Sequence, residues 1–193
     1  MQIPMFEPES QWSAPEILPD FEQAEAVAID LETCHPALKE SGPGWPWQEG
    51  HVAGIALCFK KGDALESHYL PIGHQLGQNL DKPLVRAYLQ SLCDFTIPKV
   101  FHNALYDLGW LRTEGITRLQ GPLFDTMSGA ALLDENRKSY SLDNIGKSWL
   151  NVGKDETLLK EAAASYSIKN PKSEMWKLPP KFVGPYAEQD TLV

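Results

Sequence analysis

The sequence predicts an α/β domain built on a mixed sheet, antiparallel where it opens and parallel where it continues. Two observations carry this expectation. Three strand-like runs follow one another through short connections, and from Asp81 onward the apolar period shifts from two toward 3.6, with short apolar runs then alternating with helical ones. At 193 residues the chain has the size of one domain with a proper core.

Residues 1–20 hold Pro4, Pro8, Pro15 and Pro19 without a regular period, and are expected to form an arm ahead of a domain spanning 21–193. Residues 24–31 (AEAVAIDL) alternate and become β-branched near their end, which predicts the first strand. A Gly- and Pro-rich loop follows over 34–50. Residues 51–59 (HVAGIALCF) and 64–72 (ALESHYLPI) are the next two strands, and the brief Lys61-Gly62-Asp63 link makes them an antiparallel hairpin.

In DKPLVRAYLQSLCD, helical spacing places Leu84, Val85, Tyr88, Leu89 and Leu92 on one face, with Asp81 as cap and Pro83 in the first turn. Residues 98–102 predict a short strand, and 104–114 a helix ended by Gly115. A brief strand at 122–124 leads into a helix over 125–134 capped by Asp125. Helices are expected near 141–150 and 155–167. A lysine- and proline-rich stretch, 169–181, separates them from a last helix beginning near Val183. Five strands and flanking helices result.

Composition narrows the function classes. Apolar residues make up 42% and charged residues 22%, ordinary for a soluble globular domain, and no apolar run is long enough to span a bilayer. The first residues have neither the basic start nor the apolar stretch of a signal peptide. Cys34, Cys58 and Cys93 fit neither a disulfide framework nor a zinc motif, which points to a reducing compartment. A net charge of −9 argues against simple electrostatic capture of nucleic acid, but a site for divalent cations must itself cluster carboxylates.

Three segments carry chemistry. In Ile29-Asp30-Leu31-Glu32-Thr33, positions i and i+2 of a strand share a face, so Asp30 and Glu32 can converge on one cation. Carboxylates at a strand end are also commonly just solvated. In His102-Asn103-Ala104-Leu105-Tyr106-Asp107, a strand passes into a helix whose first turns carry Asp107; a helix-start aspartate favoured by the macrodipole is the plainer explanation. His102 and Asn103 could satisfy backbone groups or touch a phosphate. In Tyr186-Ala187-Glu188-Gln189-Asp190, the i, i+4 spacing puts Tyr186 and Asp190 on one helical face.

The ordered set IDLET, HNALYDLGWL and YAEQD resembles the three motifs of the DEDD exonuclease superfamily in its tyrosine subtype. The connecting segments HYLPIGH, FDTMSGAALLDENRKSYSLDNIGKSWL and VGPYAEQD are similar to the proofreading 3′-5′ exonuclease domain of family A DNA polymerases, particularly phage-type ones, from about Ala24 to Val193. The resemblance implies an RNase H-like fold and two divalent ions, Mg²⁺ or Mn²⁺. It implies that Asp30 bridges them, that Glu32 and Asp190 bind the ion that activates water, that Asp107 serves the other, and that Tyr186 orients the water. Leu31 and Thr33 would contact the terminal nucleotide, although Leu31 alternates toward the core.

The implied substrate is a single-stranded DNA 3′ end, cut to nucleoside 5′-monophosphates. The implied setting is a bacterial cytoplasm or a phage-infected cell, with a polymerase domain in the same longer chain and no membrane or further protein partner. The last helix, stopping three residues after Asp190, suggests such a longer protein. Lys169, Lys172, Lys177 and Lys181 with Trp176 could track a single strand or form a solvated loop. Trp110 and Leu111 are expected in the core, and the loop with Trp45 and Trp47 could act as a lid. Two rivals remain: an RNA-trimming exonuclease of the RNase D kind, and a catalytically silent binding module of a polymerase.

Overall fold

The computed structural model describes residues 4–35, 37–47 and 49–193. Residues 1–3 of the expected arm, and Pro36 and Gln48 of the expected loop, lie outside them. Five strands form one sheet in the order β3-β2-β1-β4-β5. They are β1 (Ala26–Cys34), β2 (His51–Lys61), β3 (Ala64–Pro71), β4 (Lys99–Phe101) and β5 (Leu123–Asp125). β1, β2 and β3 pair antiparallel, while β4 runs parallel to both β1 and β5. The mixed sheet expected from the element order is therefore the one observed.

Short α1 (Leu38–Ser41) and a single 3-10 turn at Trp45–Trp47 occupy the loop after β1. Then come α2 (Lys82–Asp94), α3 (Ala104–Thr113), α4 (Thr126–Leu133) and α5 (Leu142–Ile145). Asp81 caps α2 by accepting the Leu84 N–H, and Asp125 caps α4 by accepting that of Met127, both as expected. Leu84, assigned to the apolar face of α2, is instead exposed; the face turned to the core is Val85, Leu89, Leu92 and Cys93. Leu84 belongs to the first turn of the helix.

Four further features differ from expectation. β1 runs on to Cys34, because β2 continues to pair with it through a register shift between Glu32 and Thr33. Beyond α5 the chain winds as a π-helix over Gly146–Leu150 rather than as continuous α-helix. After α6 (Thr157–Ser165), the proline-rich stretch forms α7 (Pro171–Glu174) and a 3-10 turn. The final helix, α8 (Pro180–Leu192), starts three residues before Val183. Proline breaks helix interiors but fits the first turn, where its missing N–H has no partner to lose, so Pro180 opens α8.

The sheet separates two apolar clusters. Val27, Ile29 and Leu31 of β1 face one, formed with α2 and α3 and including Trp110 and Leu111. Ala56, Tyr69 and the buried faces of α6 and α8 form the other. Strand alternation puts Asp30 and Glu32 on this second side.

Residues 4–20 contain neither helix nor strand; their first half contacts α8, and Leu18 and Pro19 reach the α2 side. Pro185, inside α8, cannot donate to the Lys181 carbonyl one turn earlier; the Ser10 hydroxyl donates to that oxygen instead, at 2.7 Å. Trp12 donates from its indole nitrogen to Glu188 at 2.8 Å. Its ring covers Gly184, where a Cβ would lie 2.1 Å from Trp12 Cε2. Glu7 pairs with Lys181 at 2.6 Å.

Candidate active site

Each carboxylate reaches the site by a different local device. β4 has three residues and pairs with β1 only at Val27 and Ala28, so the β4-side edge of β1 is open beyond them. α3 begins directly after β4 and fills that opening. Asp107, in its first turns, is 2% exposed and faces the Leu31 backbone, whose N–H favours its charged form. Asn103, in the left-handed region at φ 69°, makes the reversal from strand to helix and donates its N–H to Asp125 at 2.9 Å.

On the facing side, small residues make room. Asp30 pairs with Ala56 and Glu32 with Gly54 across β2. The Tyr69 hydroxyl sits 2.2 Å from where a Gly54 Cβ would stand, so any side chain there would displace it. That hydroxyl bonds to His74 Nε2 at 2.7 Å, and His74 Nδ1 donates to the Leu178 carbonyl at 2.8 Å. A ring that donates through Nδ1 accepts at Nε2 when neutral. Burial agrees, pushing His74 down to about 4.

α8 closes the site. Asp30, Glu32 and Asp190 each offer one oxygen within 4.8 Å of the others. Glu32 Oε1 and Asp190 Oδ1 are buried with no hydrogen-bond partner among the described residues. Such orphaned oxygens are costly in a folded protein unless something else satisfies them. Tyr186, one turn before Asp190, has its hydroxyl close enough to that carboxylate to favour the charged form. Lys154 is the compensating cation, 2.7 Å from Asp190 Oδ2 and 5.5 Å from the centroid of the Tyr186 ring.

The electrostatics follow from this crowding. Burial, then the charge of Asp190, pushes Asp30 up to about 7, with Lys154 opposing. Burial and then Asp30 and Asp190 hold Glu32 well above the usual carboxylate range. Asp107 is raised by burial and by Asp30. Asp190 is raised by burial, while Lys154 and the Tyr186 hydroxyl pull it down. Burial, then Asp190, holds the Tyr186 phenol above its ordinary value. Asp30, Glu32 and Asp190, crowded so that their charged forms are disfavoured and with one oxygen each inside 4.8 Å of the others, form a donor set suited to a hard divalent cation; Asp107 lies outside that group of three.

The other expected residues are placed as follows. Leu31 is buried in the core on the far side of the sheet. Thr33, just after the register shift, bonds to the Tyr106 hydroxyl at 2.6 Å. A bulge at this point re-aims the strand's end, and residues 31–34 are all buried instead of alternating. His102 has both ring nitrogens engaged, with Thr126 Oγ1 at 2.8 Å and the Tyr140 carbonyl at 2.9 Å. Asn103 is exposed. A cleft of about 240 Å³, lined by Ala28, Asp30, His102, Thr126, Leu142 and Asp190, opens beside the carboxylates. A larger cavity of about 810 Å³ lies between the arm and α8, away from them.

The basic stretch is largely neutralised. Lys172 pairs with Glu156 at 2.5 Å, Lys177 with Glu174 and Lys181 with Glu7. Trp45 lies over Gly109, with its ring against the helix that carries Asp107.

Two residues of the site escaped the sequence reading, Lys154 and Gln189. No spacing rule marks Lys154, which precedes α6 in a loop. Gln189 stood inside a recognised motif, but only the fold gives it a partner: it accepts the Asp155 N–H at 2.8 Å and donates to the Gly153 carbonyl at 3.2 Å.

Comparison with known proteins agrees with the fold and names the family. A model for the 3′-5′ exonuclease domain of the DNA polymerase A type matches residues 9–193. A DNA-directed DNA polymerase of Pseudomonas phage M6 is 41% identical over 99% of this chain, which spans 29% of that protein's length. Brucella melitensis NrnC with bound Mg²⁺ shares the fold at a TM-score of 0.56 and 20% identity, over 90% of this chain and 69% of NrnC. The POL domain of Pol1 from M. smegmatis, in complex with DNA primer-template and dNTP, aligns at a TM-score of 0.51 and 16% identity, over 83% of this chain and 24% of that one. The chain belongs to the 3′-5′ exonuclease family of the DNA polymerase A type.

Proposed function

We propose that this domain hydrolyses the last phosphodiester at the 3′ end of a single DNA strand, in a divalent-metal-dependent reaction that proofreads for a longer polymerase chain. The observation that carries this reading is the convergence of Asp30, Glu32 and Asp190 with two orphaned buried oxygens, beside the Tyr186 hydroxyl. Asp30, Glu32 and Asp190 would hold one Mg²⁺ or Mn²⁺, and Asp107 with Asp30 a second. Such ions, when bound, acidify water and neutralise charge on the phosphate and the leaving oxygen.

The chain's own residues supply position. The Tyr186 phenol stays protonated in its buried setting. It therefore acts by hydrogen bonding and not as a base, and it orients the attacking water opposite the leaving group. The water oxygen bonds to phosphorus, the bond from phosphorus to the 3′ oxygen of the preceding nucleotide breaks, and a nucleoside 5′-monophosphate departs. The cleft beside Asp30 and His102 receives the strand end.

DNA is favoured over RNA by the 41% identity to a phage DNA polymerase across nearly the whole chain. Matched DNA and RNA strands, digested side by side with Mg²⁺ and then Mn²⁺, test the choice. Faster loss of DNA is expected. Preferential loss of RNA would move the assignment to the RNase D kind of activity, and an inert wild-type chain would favour the silent module.

A further inference from the structure

Lys154 has no role in the chemistry described above, yet it is a nearly buried cation held directly against one of the clustered carboxylates. Its side chain is 11% exposed and the Asp190 side chain it contacts 8% exposed, unlike the lysines of most other ion pairs, which stand in solvent. Gln189, the neighbour of Asp190, hydrogen-bonds to the backbone on both sides of Lys154, at Gly153 and at Asp155. α8 thus presents the carboxylate and, one residue earlier, the clamp that aims a lysine at it. The charge of Lys154 also acts on Asp30 and Glu32.

A divalent ion held by Asp190 needs the same carboxylate that Lys154 occupies. Asp190 Oδ2 faces the ammonium, while Oδ1 is left without a partner. Two cations sharing one buried carboxylate repel each other strongly where solvent screens little.

We propose that Lys154 is a positioning residue that competes with the divalent ion for Asp190: it holds the carboxylate in place before metal loads, and it sets the concentration at which loading occurs. This rests on the assignment of Asp30, Glu32 and Asp190 as metal ligands. Lys154 then acts through Asp190, and Gln189 acts through Lys154. A filled site is reached by displacing the ammonium from Oδ2, so the free energy of the ion pair is subtracted from that of metal binding.

The test uses the full chain stripped with EDTA and titrated with Tb³⁺ by luminescence and with Mn²⁺ by calorimetry. Lys154→Met and Lys154→Gln are expected to bind both ions about tenfold more tightly than wild type, since a close, poorly solvated charge pair contributes about that factor or more. Lys154→Arg, which keeps the cation, is expected not to tighten binding. Gln189→Leu, which frees the loop, should shift affinity in the same direction as Lys154→Met but less. Lys160→Met removes a surface charge paired with Glu156 and corrects for general electrostatics.

In EDTA, the midpoint of thermal unfolding should fall for Lys154→Met and Lys154→Gln, because Asp190 is left without its cation. Unchanged or weakened ion binding in both neutral variants, relative to Lys160→Met, overturns the proposal. Asp30→Asn separates this failure from that of the underlying assignment. If Asp30→Asn binds the ions as wild type does, the ligand assignment is wrong. If it binds poorly while the Lys154 variants match wild type, only the competition is wrong.

Discussion

The two halves of the site are held by different kinds of structure. Asp30 and Glu32 ride on β1, a central strand paired with β2 along its length and with β4 at its start. Their positions follow from the backbone ladder and from alternation, so hardly any side chain is needed to aim them. Tyr186 and Asp190 ride on α8, a helix interrupted by Pro185 and opened by Pro180. That helix is fixed by distant side chains: Ser10 on its orphaned carbonyl, Trp12 on Gly184 and Glu188, and Gln189 on the Lys154 loop. The strand half is therefore placed by local backbone pairing, and the helix half by core packing and by side chains distant in sequence.

If this contrast is right, damage to the strand half should change chemistry without loosening the fold, and damage to the helix packing should do the reverse. The largest effect is expected from Asp30→Asn. It removes the charge of a proposed metal ligand, and activity should fall by about a thousandfold or more. The metal-free thermal midpoint above pH 7 should rise or stay level, because an uncompensated buried charge has been removed. A variant that unfolds instead would mean that Asp30 is needed for the fold.

Tyr186→Phe keeps the ring in its buried place and deletes only the hydroxyl. A loss of about 10- to 100-fold in kcat with little change in KM is expected, consistent with orienting a water through one hydrogen bond. An equal rise in KM would assign the hydroxyl to binding the strand. Gly184→Ala and Trp12→Ala probe the helix half from outside the chemistry. The added methyl meets the Trp12 ring, and each change should cost about 1–3 kcal/mol in denaturant unfolding. Residual activity of the folded fraction should fall far less than in Asp30→Asn.

Much of the strand half was legible in the sequence, and much of the helix half was not. AVAIDLE announces a buried strand carrying two carboxylates on one face, and the Asp81 and Asp125 caps were equally readable, because these features depend on residues within one turn or one pleat. The continuation of β1 to Cys34 was not readable, since it needs the shifted pairing with β2. The early start of α8 was hidden by prolines that normally stop helices, and its support by Ser10, Trp12 and Lys154 spans sequence separations that no local period encodes. The resemblance to the exonuclease motifs pointed to Tyr186 and Asp190, but not to the cation that pairs with Asp190.

The smallest of the expected effects is a pH slope shared by both halves. The carboxylates at the site have raised values in the folded chain, Asp30 up to about 7. The folded state therefore keeps protons that the unfolded chain releases above about pH 4. That contribution to stability is complete below the unfolded values and is lost as pH rises through the folded ones. The EDTA-treated domain should melt at progressively lower temperature between about pH 5 and pH 8. Glu7, Glu156 and Glu174, whose values are lowered by their lysines, act in the opposite sense but only below the ordinary carboxylate range. Asp30→Asn should flatten the slope, and saturating Mg²⁺ should remove it. A melting temperature that rises across this window would contradict the crowded, protonated site.

The most direct measurement follows a single-stranded DNA labelled at its 5′ end, together with chromatography of the released nucleotides, in EDTA and then in Mg²⁺ or Mn²⁺. No change is expected in EDTA, then stepwise shortening from the 3′ end once the ion is added, nucleoside 5′-monophosphates as the product, and no shortening by Asp30→Asn. Shortening that persists in EDTA or in Asp30→Asn, or a product bearing a 3′-phosphate, would contradict the proposed reaction.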